Sequence, residues 1–406
     1  MKKILFLSFP YPYAKFGPST NCCVRIMKCL IESGKYEVHC CSYSDTYGKK
    51  NFEEVPEIIL HQIPILDPRR KVYSNFMIRL KLFLKIPIYP FRTLISDYHH
   101  YRVCKKILEK ESFDLVVSQC YSEQSLVAGV LLKKHNLAKK LMVIFWDNIY
   151  GMVPQKVIPQ KFALQRQRKV ESWIAKYADK LVSLYPIKSF HEKKGDVPLA
   201  VGKRVYLGIP SLIKPKSFGM SAYRKKIIDG KTNILYSGTI YKTLHLDYLV
   251  RLLNETSDAE NINIVVFCRG LSEEKVQQLI QTFKGSIQIL GWIPINDLFA
   301  LFPLVDFFVS FPGNPNAICS KVYEFMSYGK PVMIFYEKDE DVNIKAFEKY
   351  PGSLMIDLRK KVLENVEKVN PFLLTKHEPI PFDSTEMLFE TDSPVAYLDV
   401  INGMLE

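Results

Sequence analysis

The sequence predicts an α/β protein made of two doubly wound, Rossmann-like domains that face a central cleft. Short apolar runs alternate with amphipathic helical stretches through both halves of the chain, which is typical of βα units that build a mostly parallel sheet. The length of 406 residues exceeds the size at which one hydrophobic core usually keeps growing. Two domains of roughly 200 residues are therefore expected.

The first domain is predicted to span residues 1–210. Its strands are predicted at 3–9, 37–42, 58–63, 115–118, 141–145, 181–184 and 204–206. Its helices are predicted at 21–33, 98–109, 123–134 and 162–177.

A segment rich in Pro, Lys, Ser and Gly, residues 208–220, interrupts this pattern and is predicted to be a linker. The second domain, 221–385, then repeats the alternation. Its strands are predicted at 233–237, 262–267, 287–290, 307–311 and 332–335. The remaining residues, 386–406, contain a predicted helix at 393–405.

Composition limits the classes of function. Hydrophobic residues make up 48% of the chain, no apolar run reaches the length of a membrane span, and the first residues form a strand instead of a signal peptide. A cytoplasmic protein is expected. The nine cysteines lie mostly in predicted elements and lack the Cys-x2-Cys spacing of zinc sites, so they are predicted to be reduced core residues.

The net charge of +14 indicates an anionic partner, which could be nucleic acid, an anionic membrane face or a phosphorylated substrate. Residues 69–106 interleave Lys, Arg and His with large apolar side chains and contain one acid, Asp97. This pattern favours an interfacial helix on an anionic membrane surface, and the alternative is a solvated basic helix packed on the sheet. Nucleic acid is not an expected partner, because no binding module is present.

Residues 314–331 are the most informative segment. They follow one apolar run, precede another, and predict a loop and then a helix at 320–328 that ends at Gly329. Ser320 and Lys321 at the start of this helix are suited to hold a phosphate, and Glu324 can accept two hydroxyl hydrogen bonds from a ribose. The alternative is an ordinary amphipathic helix whose Glu324 faces water.

Three further points precede this segment, each at the end of a predicted strand. The first is a glycine turn at Gly238, whose backbone N–H groups can approach phosphate, followed by Lys242, which can neutralise charge on a leaving group. The second is Arg269, before a glycine. The third is the pair Gly291 and Trp292, of which the tryptophan can equally be a core residue.

These four points, in this order, resemble the nucleotide-sugar site of GT-B glycosyltransferases, in particular the retaining family 4 (group 1) enzymes with a Glu-x7-Glu pattern. The likeness is weak before residue 113 and good from 178 to 331. It implies that Lys242 lies at the diphosphate, that the backbone after Gly291 contacts the nucleobase, and that the last helix returns to the first domain. It also implies a front-face reaction that retains anomeric configuration.

The chain departs from the family pattern at three positions. Thr239 stands where the relatives place an Arg, and Arg269 can supply that charge or be an ordinary surface residue. Asn316 replaces the first Glu of the pattern, although its amide stays beside the predicted sugar. Gln119 follows the fourth strand, where many relatives carry His.

The first half adds two candidates. Gly17, in a proline-rich loop at 10–20, is expected near donor phosphate and acceptor, and the neighbouring Ser19 and Thr20 are either contacts or helix caps. Asp147 can orient an acceptor hydroxyl or take its proton, or it can simply cap a turn. The proline-rich loop at 10–20 does not contain a Gly-x-Gly-x-x-Gly motif, so no dinucleotide cofactor is expected. No Asp-x-Asp motif ends a strand, and no metal is expected at the donor.

The leading hypothesis is a hexosyltransferase-like enzyme that moves a sugar from a UDP- or GDP-linked donor to a membrane-associated saccharide or lipid-linked acceptor in surface-polysaccharide assembly. A catalytically silent GT-B protein that acts as a partner of an active enzyme is the alternative, favoured by Thr239, Asn316 and Gln119. A nucleotide-sugar epimerase of the same fold is third, and it should carry more His and acidic residues.

Overall fold

The computed structural model describes residues 1–7, 18–43, 55–63, 94–119, 123–146, 159–240, 242–313, 315 and 317–406. The chain divides into two compact units. The first contains Met1–Pro210 and Thr391–Glu406, and the second contains Ser211–Glu390. Residues 386–390, assigned from the sequence to the terminal segment, thus lie in the second unit.

The first unit is built on a parallel sheet whose strands lie in the order β3-β2-β1-β4-β5-β6-β7. The strands are β1 Lys2–Leu7, β2 Tyr36–Tyr43, β3 Ile59–Ile63, β4 Leu115–Gln119, β5 Leu141–Phe145, β6 Lys180–Leu184 and β7 Arg204–Leu207. The helices are α1 Pro18–Glu32, α2 Leu94–Lys110, α3 Glu123–Lys134, α4 Gln160–Tyr177 and α5 Tyr185–Lys194. The central strands β4 and β5 are buried along their whole length, as expected for a parallel sheet covered on both faces.

Helix α1 begins at Pro18, three residues before the predicted start. Ser19 and Thr20 therefore lie within its first turn, and the prediction that one of them precedes and caps the helix is wrong. Proline at the first helical position explains the earlier start, because its missing N–H has no partner there in any case.

The chain's last helix packs on the first unit. This helix, Pro394–Leu405, begins at Ser393, whose side chain accepts a hydrogen bond from the N–H of Val395. Tyr397 and Ile401 are fully buried in the core of the first unit. The Tyr397 hydroxyl also donates to the carbonyl oxygen of Gly208 at 2.8 Å, so its buried polar group is satisfied.

The second unit repeats the same architecture, with the strand order β10-β9-β8-β11-β12-β13, all parallel. Its strands are β8 Thr232–Thr239, β9 Ile262–Arg269, β10 Ser286–Leu290, β11 Phe307–Ser310, β12 Val332–Tyr336 and β13 Ser353–Asp357. Its helices are α6 Thr243–Asn254, α7 Glu273–Thr282, α8 Ile295–Leu301, α9 Ser320–Ser327, α10 Val342–Phe347, α11 Val362–Leu374 and α12 Phe382–Leu388. The terminal helix of the chain is α13. Strand β13 was not predicted, because this edge strand is only half buried and gives a weak apolar run.

Two predictions about the chain as a whole are tested by the described residues. Their cysteines are all free thiols and mostly buried, which agrees with the predicted reduced core residues. Within the same ranges, no helix combines the length and the apolar character needed to span a bilayer. Of the basic segment 69–106, residues 69–93 lie outside the described residues.

Candidate functional site at the switch point of the second sheet

The strand order of the second unit creates one point where the winding reverses. The chain runs outward from β8 through β9 to β10, then crosses back to β11 on the other side of β8. In sheets of this kind, ligands bind beyond the carboxyl ends of the strands at such a switch point. The end of β8 and the segment that follows β11 carry five of the residues singled out from the sequence: Gly238, Thr239, Ser320, Lys321 and Glu324.

The end of β8 has a shape that requires glycine. The Tyr236 hydroxyl donates to the carbonyl oxygen of Thr239 at 3.0 Å and folds under the strand end. A Cβ atom at Gly238 would lie 2.9 Å from that hydroxyl oxygen, so a larger residue would displace the tyrosine. The Thr239 side of the turn is exposed. The backbone at Gly238 can therefore be approached closely by a ligand.

Lys321 brings a positive charge to the same place. Its ammonium group donates to the backbone oxygen of Ser237 at 2.8 Å and to the Ser237 hydroxyl at 3.3 Å. It lies 3.8 Å from the position that a Cβ of Gly238 would take. Burial lowers the pKa of Lys321, while the negative charge of Glu324 acts in the opposite direction. A cation from α9 thus lies against the glycine turn of β8.

The exposed face of α9 carries the polar residues. Val322, Tyr323, Phe325 and Met326 are buried against the unit, whereas Ser320, Lys321 and Glu324 are only partly buried. Glu324 is the i+3 neighbour of Lys321 and the i+4 neighbour of Ser320, and both spacings bring side chains to one helix face. Glu324 is therefore partly open to solvent. It lies one helical turn from Lys321, on the face that borders the end of β8.

The loop that leads into α9 is held by a residue that sequence reasoning missed. Asn343, at the start of α10, accepts the N–H of Cys319 at 2.7 Å and donates to the carbonyl oxygen of Ala317 at 3.1 Å. Asp341 in turn accepts the Asn343 side-chain amide at 2.7 Å and caps α10. The segment after β12 thus fixes the path of the chain into α9. No motif signals Asn343, because its role depends on where β12 places it.

Lys242 has a partner that the sequence did not predict. Its ammonium group contacts both carboxylate oxygens of Glu337, at 2.8 and 2.6 Å. The same carboxylate lies 2.9 Å from Nε2 of His245, which is buried in the first turn of α6. Glu337 directly follows β12. The predicted leaving-group cation therefore belongs to a Lys242–Glu337–His245 cluster.

We expect the stability contribution of this cluster to depend on pH. The hydrogen bonds from Lys242 and His245 lower the pKa of Glu337 below its ordinary 4.5. A lowered pKa stabilises the folded state above the unfolded value, and the contribution is lost as pH falls through the folded value. The difference in free energy of unfolding between wild type and Glu337→Gln should be below about 1 kcal/mol at pH 7, since the pair is partly exposed, and should shrink below pH 4.5. Urea denaturation of both proteins at pH 7 and below pH 4.5 measures this difference. A difference that does not change with pH would show that the Glu337 carboxylate does not stabilise the fold through this cluster.

Arg269 and Trp292 come together at the ends of β9 and β10. The Arg269 guanidinium lies 4.8 Å from the centre of the Trp292 ring, a cation–π arrangement. Trp292 is 41% exposed, so the alternative that it is a core residue is wrong. A Cβ at Gly291 would meet no atom within 4 Å, and no close approach explains that glycine. Both side chains lie at the carboxyl ends of the strands, as Gly238 does. Arg269 ends β9, which is next to β8, and Trp292 follows β10, which is one strand further away.

Three predicted residues, Gly17, Asp147 and Asn316, lie outside the described residues. The switch point of the first unit, between β1 and β4, is described only at the strand ends. There the Gln119 side chain accepts the indole N–H of Trp146 at 2.7 Å, and Ser125 links the backbone of Gln119 to that of Leu7. Gln119 is buried and holds neighbouring strand ends together.

Two doubly wound parallel α/β units in one chain agree with the predicted GT-B fold. Comparison with solved structures gives the same fold over the whole chain. A glycosyltransferase from Rickettsia africae aligns with a TM-score of 0.67 and 13% identity, covering 100% of this chain and 99% of that one. HepE from Anabaena, solved with UDP and glucose, aligns with a TM-score of 0.61 and 14% identity, again over 100% and 99%.

A third similar structure belongs to a different class of enzyme. A putative UDP-N-acetylglucosamine 2-epimerase from Listeria monocytogenes aligns with a TM-score of 0.57 and 14% identity, covering 97% of this chain and 93% of that one. The amino-acid sequence itself matches no protein-family model and no curated protein.

Proposed function

We propose that this chain is a glycosyltransferase that moves a sugar from a UDP- or GDP-linked donor to a membrane-associated saccharide or lipid-linked acceptor. The observation that carries the proposal is the position of the Lys321 ammonium group beside the Gly238 turn, with Glu324 on the same helix face. This arrangement offers a cation and backbone N–H groups to a diphosphate and a carboxylate to the ribose attached to it. HepE and the Rickettsia glycosyltransferase, which share the fold, support the class of reaction.

The donor is assigned to the second unit. Lys321 and the N-terminus of α9, which begins at Ser320, meet the diphosphate, and Glu324 accepts from the ribose hydroxyls. Lys242 neutralises charge that develops on the leaving diphosphate. Its contact with Glu337 does not oppose this role, because an exposed ion pair contributes only about 0–1 kcal/mol and is easily exchanged.

The nucleobase is assigned to the Arg269–Trp292 side of the sheet edge, next to the backbone of Gly291. An exposed tryptophan gives a flat apolar surface for a base, and Arg269 supplies a cation that Thr239 at the end of β8 does not. We further propose that the donor charge is met by these cations and helix α9 without a metal ion, and that the reaction retains configuration, as the family resemblance implies.

The acceptor is assigned to the first unit, with Asp147 and Gly17 on its side of the reaction and Asn316 beside the transferred sugar. The sequence of residues 69–93, cationic and rich in large apolar side chains, supports docking on an anionic membrane surface at the cytoplasmic face. Exposed bases on the following helix α2, Arg102, Lys106 and Lys110, continue this charge.

Two other functions predict different outcomes of the same experiment. A catalytically silent partner, suggested by Thr239, Asn316 and Gln119, would bind a nucleotide sugar without consuming it. An epimerase, suggested by the Listeria structure, would convert the sugar of the donor without releasing the nucleoside diphosphate.

The test uses the purified full-length protein with a panel of UDP- and GDP-sugars. A true donor at 100 times its dissociation constant should stabilise the protein by about 2.7 kcal/mol, which a thermal-shift screen detects. With that donor, a transferase should slowly release nucleoside diphosphate by hydrolysis and faster when lipid extract supplies an acceptor. Stabilisation without turnover would favour the silent partner, a changed sugar seen by NMR would favour the epimerase, and no stabilisation by any member would overturn the proposal.

A further inference from the structure

The first unit contains a compact group of histidine and carboxylate side chains that the proposed reaction does not use. His39 lies in β2, His61 in the neighbouring edge strand β3, and Glu111 just after the end of α2. Their nearest side-chain nitrogen and oxygen atoms all lie within 4.8 Å of one another. Three chain segments that are distant in sequence thus bring three potential metal ligands to one point.

The distances suit a single ion among the three groups. Nδ1 of His39 lies 2.9 Å from Nε2 of His61 and 3.8 Å from Oε2 of Glu111. Ligands at the usual zinc distances of about 2.0–2.2 Å in a tetrahedron are separated by about 3.3–3.6 Å. An ion would therefore need the two imidazoles to part by a few tenths of an ångström and Glu111 to move closer.

A second carboxylate already orients one of the imidazoles for this task. Nε2 of His39 lies 2.7 Å from Glu37, and a carboxylate can only accept, so this nitrogen carries the ring proton. Nδ1 then carries the lone pair, 2.9 Å from Nε2 of His61. Histidines that bind metals almost always donate their other ring N–H to a carboxylate or carbonyl in this way.

Lys3 also contacts the two carboxylates of this group. Its ammonium group contacts Oε1 of both Glu37, at 2.9 Å, and Glu111, at 2.5 Å. The Oε2 atom of Glu111 is the one nearer His39. His39 is buried, whereas His61 and Glu111 are partly exposed, so one side of the group is open to water.

We propose that His39 Nδ1, His61 Nε2 and Glu111 Oε2 bind one Zn²⁺ or a similar divalent transition-metal ion, with water as the fourth ligand. Two imidazoles and one carboxylate form a ligand set that binds zinc in preference to magnesium or calcium. The ion replaces the hydrogen bond between the two imidazoles, and neutral His61 shifts its proton to Nδ1. The site connects edge strand β3 to β2 and to the end of α2. It is separate from the proposed donor site, which lies in the second unit.

A second group with similar composition does not have this property. Glu171, His191 and Asp196 also lie close together. However, the buried guanidinium of Arg204 contacts the same two carboxylate oxygens that face Nε2 of His191, namely Oε1 of Glu171 at 2.5 Å and Oδ1 of Asp196 at 3.0 Å. In the first group, by contrast, Lys3 contacts Oε1 of Glu111, and the oxygen that faces His39 is Oε2. That group is an ion-pair network, and it carries no metal proposal.

The experiment uses untagged full-length protein that has been treated with a chelator, and Co²⁺ and Zn²⁺ as the probes. Co²⁺ is expected to bind at one equivalent with the visible absorption of a tetrahedral site, and Zn²⁺ is expected to displace it and raise the melting temperature. His61→Ala should weaken Co²⁺ binding by about 100-fold or more, and Glu37→Ala by about 10-fold, since it only orients His39. His135→Ala, at an exposed histidine of the same unit, is the matched control and should bind as wild type does.

Three results would overturn the proposal. These are no Co²⁺ binding below about millimolar concentration, equal binding by wild type and His61→Ala, or an equal loss with His135→Ala. If His61→Ala fails to fold, Glu111→Gln replaces it, because this change keeps the size of the side chain and removes the charged ligand oxygen. Donor consumption is measured in parallel, so that failure of the metal site and failure of the glycosyltransferase proposal are distinguished.

Discussion

Replacing Lys321 with methionine is expected to lower kcat/KM for donor consumption by about 100-fold or more. The ammonium group is held beside the Gly238 turn by Ser237, where the diphosphate of the donor is proposed to lie. Removing one fixed charge from a partly buried site that stabilises a developing anion typically costs about 10²–10³ in rate. Methionine keeps the length and the apolar stem of lysine, so the packing of α9 should be preserved. Initial rates of nucleoside diphosphate release over a range of donor concentrations measure the effect.

The control is Lys330→Met, at the other end of the same segment. Lys330 is also a partly buried lysine whose pKa is lowered by burial, but it precedes β12 and so lies at the amino-terminal ends of the strands. Its substitution should change kcat/KM by less than about threefold while having a similar effect on charge and stability. If both variants lose activity equally, or if Lys321→Met keeps wild-type activity, Lys321 does not contact the donor.

The contrast between predicted and observed features of this site has a physical cause. Gly238, Ser320, Lys321 and Glu324 could be found from the sequence because each lies next to an apolar run or at a helix start, and such local patterns determine strand ends and helix faces. The strand order then brings them together. Glu337 and Asn343 were missed because nothing local distinguishes a polar residue after β12 from any other exposed residue.

The group formed by His39, His61 and Glu111 was also not predictable from local sequence patterns. His39 and His61 lie on neighbouring strands, and Glu111 arrives from a helix end about fifty residues later in the chain. No spacing rule links them, because their proximity depends on the pairing of β2 with β3 and on where α2 ends. Gln119, at a strand end of the first unit, is a similar case, because its hydrogen bond from the indole N–H of Trp146 depends on which strands are neighbours.

Gly329→Ala is expected to destabilise the second unit by roughly 3 kcal/mol. Gly329 ends α9 with a φ of +68°, a left-handed conformation that costs a residue with a Cβ about 1–2 kcal/mol. An added Cβ would also overlap the carbonyl oxygen of Ile380 and lie 2.7 Å from its nitrogen. Both are backbone atoms, and the N–H of Ile380 donates to the oxygen of Gly329 at 3.0 Å. Moving either backbone segment aside would therefore cost this hydrogen bond. Such overpacking adds about 1–3 kcal/mol.

Gly230→Ala separates the two causes within the same unit. Gly230 has a φ of +81°, but a Cβ there would meet no atom within 4 Å. This variant should therefore lose only about 1–2 kcal/mol, the cost of the backbone conformation. Urea denaturation gives the loss for each variant, and hydrogen exchange of the α9 amides shows whether the damage at Gly329 spreads to the helix that presents Lys321 and Glu324. Equal losses for the two variants would mean that the contact with Ile380 does not constrain the end of α9.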